Sequence, residues 1–135
     1  MVTGHNLWEY FDSPVLTESR LLKEMQKAHL TRSDLIALDR LMDRVAAGTA
    51  VPDGDFKHLR VEGLWELRLK VDRRSFRLLY SREGGTKFVM VALHFVPKKS
   101  QKLPRHTFET ARKRLKSWQD KQHQDETSRI NDILV

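Results

Sequence analysis

Hydrophobic and polar positions alternate along the chain with two different periods. From Val15 to His29 the apolar residues Leu21, Leu22, Met25 and Ala28 follow helical spacing. A second helix is predicted to open near "TRSD". Leu35, Leu38, Leu41, Met42 and Val45 then form one apolar stripe, and Gly48 is a natural stop. Ahead of these, "NLWEYFD" (Asn6–Asp12) is a short strand candidate ended by the turn-like "DSP". The stretch "GTAVPDGDF" reads as a loop from its Gly, Pro and Asp content.

The period then changes to two. Trp65–Val71 and Ser75–Tyr80 are predicted strands joined by a tight turn at Asp72-Arg73. With that turn, Trp65 faces Tyr80, Leu67 faces Leu78 and Leu69 faces Phe76, which makes one wholly apolar face. The other face pairs Glu66 with Leu79, Arg68 with Arg77 and Lys70 with Ser75. A slip of one residue would scramble this partition, so the pattern itself selects the register. Lys87–Val96 follows the Gly84-Gly85 turn and is apolar on both faces, as a central strand covered on both sides would be. Pro104 to Lys121 reads as an amphipathic helix, with Phe108, Ala111, Leu115 and Trp118 on one side and Arg112, Lys113, Arg114 and Lys116 crowding the rest. The expected order is β-α-α-β-β-β-α. This is a small α+β domain over residues 1–121, a mostly antiparallel sheet with helices packed on one face, followed by a polar tail over 122–135 that is frayed or held by a partner.

Composition changes this picture in one respect. The 135 residues suffice for one domain with a real core, and the absence of cysteine excludes disulfides and thiolate metal sites. No signal peptide and no membrane-spanning stretch are visible, so a soluble, cytoplasmic protein is expected, without a membrane partner. The net charge of +7 is unevenly spread. Residues 56–118 hold 17 Lys and Arg against 5 Asp and Glu, whereas the remainder is net acidic. A one-sided basic field favours a polyanion such as nucleic acid, or an acidic protein segment.

Two constellations carry candidate chemistry. Facing arginines in the hairpin repel each other and need an offset. Glu66 or Asp72 could neutralise one of them, or the pair could form a fork for a phosphate. The second constellation is "HFVPKKSQKLPRH", His94 to His106, where Lys98, Lys99, Lys102 and Arg105 sit in a loop ahead of a helix start. The six histidines lack metal-ligand spacing, and His94 inside an apolar strand reads as a packed residue. No phosphate-cradling glycine loop and no nucleophile elbow is present.

"GLWELR", "SFRLLY", "VALHFVPKKSQKLP" and "ETARKR" together resemble the HigB-like branch of the RelE toxin superfamily, which includes phage-derived proteins. The resemblance implies the toxin of a type II toxin–antitoxin pair, with a helix-turn-helix antitoxin as partner and mRNA, usually on the ribosome, as substrate. It implies an endoribonuclease that needs no metal or other cofactor, the RNA 2′-hydroxyl attacking the adjacent phosphate. On that resemblance Arg77 matches the arginine that stabilises transition-state charge, Arg68 a basic residue of the first hairpin strand, and Lys98 and Lys99 the basic loop. Lys70, Arg74, Lys102, Arg105, His106 and Arg112 complete the candidate RNA-binding set. The chain departs from the pattern at Glu66, where relatives often carry a basic residue, and it lacks the tyrosine that some members carry after the basic loop. Two other readings use the same surface: a non-catalytic nucleic-acid-binding accessory protein, and a degenerate toxin acting only within a repressor complex.

Overall fold

The computed structural model describes residues 7–61, 63–84 and 88–134. Strand β1 (Trp8–Tyr10) leads through a 3-10 turn (Leu16–Glu18) into α1 (Arg20–Lys27) and α2 (Arg32–Ala47). Strands β2 (Phe56–His58), β3 (Trp65–Val71), β4 (Arg74–Glu83) and β5 (Val89–Pro97) follow, and α3 (Arg105–Leu134) closes the chain. The helix starts are set by local side chains. Ser19 caps α1, its hydroxyl accepting from Leu21 N–H and donating to Asp12. Thr31 and Asp34 form a reciprocal capping box on α2, and Gly48 ends that helix at φ 75°.

The five strands lie in the order β1-β5-β4-β3-β2. All neighbours are antiparallel except β1, which runs parallel to β5. Every pair expected for the β3–β4 hairpin is present, from Trp65 opposite Tyr80 to Lys70 opposite Ser75. Asp72 makes the turn at φ 55°, a conformation that Asp tolerates better than most residues. Between β4 and β5 the register jumps, Leu79 pairing with His94 but Tyr80 with Ala92, so Leu93 is the extra residue of a bulge.

Several boundaries differ from the expectation. The first helix is shorter than Val15–His29, because the chain makes a 3-10 turn and recaps at Ser19 before α1 begins. The supposed loop ends in β2, whose three residues are too few to show a period. The last helix does not stop at Lys121 but continues to Leu134, with residues 119–134 all exposed. Asn6, Gly85 and Lys87 lie outside the described residues.

The helices are not confined to one face. On one side α1 and α2 cover Leu67, Leu69, Phe76, Leu78, Tyr80, Met90, Ala92 and Phe95. On the other, Ala111 and Leu115 of α3 pack on Leu64, Leu79, Val91 and Leu93. The physical reason was visible in β5: a strand apolar on both faces needs a cover on each. No helix among the described residues is long and apolar enough to cross a membrane.

Candidate nucleic-acid interface

Helix α3 shields Leu79, but the alternate positions nearer the hairpin turn, Arg77 and Ser75, lie beyond its packed contacts. There Arg68 and Arg77 stand side by side on neighbouring strands. Glu66, buried at 6 % exposure, serves both. Its Oε1 accepts from Arg68 Nε and lies 3.1 Å from Arg68 Nη2, while Oε2 lies 3.5 Å from Arg77 Nε. One carboxylate between two guanidiniums is the offset that the facing arginines require.

The two arginines differ in environment. Arg68 is the more exposed and also donates from Nη1 to Asp53 O at 2.8 Å, tying down the loop ahead of β2. Arg77 is 4 % exposed, and its Nη1 donates to Ser75 Oγ and Phe76 O, both at 3.0 Å. Among the described residues its Nη2 has no hydrogen-bond partner, and Nε has an ion-pair contact but no hydrogen bond. Burial lowers the Arg77 pKa, with Arg68 adding to the effect and Glu66 opposing it. Lys98, anchored by its N–H to Ser75 O at 2.8 Å, joins the same neighbourhood. Its pKa is lowered by burial first, then by Arg77, Arg68 and Lys70, against the single opposing charge of Glu66. Arg68, Arg77 and Lys98 thus sit in the field of one carboxylate, and the excess positive charge can stabilise a phosphate.

The remaining candidates separate. Lys99 follows Lys98 into a basic cleft beside the hairpin turn. Arg74 is engaged elsewhere: its Nη2 lies 2.7 Å from Asp34 Oδ2, linking the hairpin to the capping box of α2. Burial alone pushes the Asp34 carboxyl up, but the Thr31 hydrogen bonds and Arg74 together hold it below its ordinary value. Lys102 is exposed, its carbonyl accepting from Ser100 Oγ, and Arg105 pairs with Glu109 on the surface of α3. His106 is exposed, and Arg112 lies on the outer side of α3. Among the described residues no hydrogen bond or ion pair joins these four to Arg77. Ser75, which orients Arg77, was not singled out in the sequence; its signal is the register, which puts it two positions from Arg77 on the same face.

His94 is a packed residue, as its apolar strand suggested, but it is part of a network. Its Nδ1 lies 2.8 Å from Glu24 Oε2, which also accepts from Arg114 Nη1 at 2.9 Å, and Glu24 Oε1 accepts from Phe95 N–H. Strand β1 pairs with β5 only through Ala92, so Glu24 satisfies a donor on the uncovered part of that edge. Burial alone raises the Glu24 pKa, but the bonds from His94 and Phe95 and the charges of His94 and Arg114 bring it below normal.

The sequence over residues 22–116 matches the family model described as phage-derived protein Gp49-like. The chain belongs to this family. Its members are RelE-like, toxin-type proteins of phage derivation. The match runs from within α1 to the first part of α3 and so includes Glu66, Arg68, Arg77 and Lys98. No curated protein matches the chain.

Proposed function

We propose that this Gp49-like protein is the toxin of a type II toxin–antitoxin pair, of the HigB-like kind, and an endoribonuclease that cleaves mRNA on the ribosome. The observation that carries the reading is Arg77, a guanidinium 4 % exposed and oriented by Ser75 and Glu66, whose buried Nε makes no hydrogen bond among the described residues. Such a group is costly to maintain unless an anion uses it. In the proposed reaction the RNA 2′-oxygen attacks the adjacent phosphorus as its proton leaves. The bond from phosphorus to the 5′-oxygen breaks, and that oxygen takes up a proton, giving a 2′,3′-cyclic phosphate and a 5′-hydroxyl. Arg77 and Arg68 stabilise the charge that accumulates on the phosphoryl oxygens. Lys98, held beside Ser75 by its backbone N–H, adds a further positive charge next to Arg77. Lys99 and Lys70 hold flanking phosphates. A helix-turn-helix antitoxin, bound to this basic surface, would neutralise it.

Brief induction of the protein alone should arrest growth, with translation falling before transcription. Mapping of cellular mRNA 5′ ends should show new 5′-hydroxyl termini inside coding regions. Normal growth and intact mRNA in the presence of verified folded protein would exclude the ribonuclease and favour a non-catalytic nucleic-acid-binding protein.

A further inference from the structure

A second basic feature adjoins Arg77; it shares Ser75, Lys98 and Lys99 with the site above, but its Lys27, His29 and Arg73 have no part in that chemistry. Between the end of α1 and the β3–β4 turn lies a cleft of about 550 Å3. Lys27 and His29 line one wall, Arg73 and Arg74 the other, and Lys98 and Lys99 close its end beyond β5. Among the described residues only Arg74 of these is matched to a carboxylate, that of Asp34, and Asp72 of the same turn makes no ion pair. Ser75 is common to both places, since it lines the cleft and accepts a hydrogen bond from Arg77. The cleft therefore opens next to Arg77, which does not itself line it.

The backbone at His29 points the same way. Helix α1 ends in a Schellman motif, with Leu30 N–H donating to Met25 O and His29 N–H to Gln26 O. The position that His29 occupies is left-handed, at φ 61°, where glycine is the usual residue. Histidine is less suited to this conformation than glycine, and the residue is exposed. The side chain lies beside Lys27 on the same wall of the cleft.

We propose that this cleft binds the phosphodiester backbone of single-stranded RNA beside the scissile bond, with Lys27, His29 and Arg73 as the contacting residues. The ligand class, single-stranded RNA, rests on the ribonuclease reading. The test is equilibrium binding of a short oligonucleotide, 2′-O-methylated throughout so that it cannot be cleaved, followed by fluorescence anisotropy across a salt series. Lys27→Ala with Arg73→Ala should weaken binding roughly tenfold at physiological salt and reduce the salt slope by about 1.4, at about 0.7 per lost single-strand contact. His29→Asn, which suits left-handed backbone, should weaken binding less and leave the melting temperature unchanged or higher. An unchanged affinity and slope in the double variant, or equal affinity for the duplex form of the oligonucleotide, would overturn the assignment even if the wild type cleaves RNA. Conversely, the expected loss of binding in a protein that cleaves nothing would support the cleft and remove the ribonuclease.

Discussion

On the α1–α2 side of the β3–β4 hairpin, Leu67, Leu69, Phe76, Leu78 and Tyr80 are each at most 4 % exposed. On the opposite side, at alternate positions of the same strands, Arg68 and Arg77 stand together with Glu66 between them. One backbone and one register serve both faces. The apolar face depends on volume, and any residue of suitable size and polarity would maintain it. The charged face depends on a single group, because among the described residues only Glu66 pairs with both guanidiniums. What Glu66 leaves uncompensated is then available to a ligand. The contrast separates a surface that is stable in itself from one completed by what it binds.

The sharpest way to break the comparison is through the apolar face. Leu78→Ala removes a fully buried side chain and should cost about 2–5 kcal/mol of stability. Thermal melts should register the loss, while single-turnover cleavage by the remaining folded protein keeps its rate. Arg77→Ala should do the reverse in kind, lowering the single-turnover rate roughly 10²–10³-fold. Its effect on stability has two parts of opposite sign. Relief of repulsion from Arg68 contributes up to about 1 kcal/mol. Loss of the contact with Glu66 opposes it, and since both side chains are under a tenth exposed, the second is larger. The melting temperature should therefore fall, and a rise would show that Glu66 belongs to Arg68 alone.

A smaller change sharpens the contrast. Glu66→Gln keeps the shape but removes the shared charge, and should destabilise by about 2 kcal/mol, in line with hydrogen bonds to charged groups. RNA binding should become tighter and more dependent on salt as the excess of positive charge grows. Weaker binding would mean that Glu66 is needed to aim the arginines rather than to offset them. The smallest effect is expected at Glu24, on the adjacent edge of β5. Its carboxyl is held below its ordinary value, so its contribution is fully present above the unfolded carboxyl value of about 4.3 and is lost as pH falls through the lower folded value. The difference in melting temperature between wild type and Glu24→Gln should be clear at neutral pH and shrink in acid. A difference independent of pH would assign Glu24 a packing role only.

Much of the site was legible because the hairpin is local. The turn at Asp72-Arg73 and strict alternation place Arg68 opposite Arg77 without reference to the rest of the chain. Glu66 was a candidate partner on the same grounds, although its contact with both arginines required side-chain geometry. Arg74 was not legible. It reads as another free cation of a basic hairpin, yet its partner Asp34 lies 40 positions away and is fixed by helix α2. The same distance effect hid the Glu24–Arg114 bond, across 90 positions. Residues that pair at long range carry no periodic signal, and only packing brings them together.

Sequence alone determined the elements whose instructions are short-range: the register of the hairpin, the capped start of α2 and the two-sided apolar character of β5. It also located the basic excess in the later part of the chain. Tertiary structure decided which helix covers which face, sending α3 to the side opposite α1 and α2. It also decided which cations remain unmatched, retaining Arg77 and Lys98 beside Glu66 while committing Arg74 to Asp34. Turns and caps act within a few residues and leave a mark in the order of the chain. Charge compensation depends on distances of a few ångströms between segments that the sequence holds far apart.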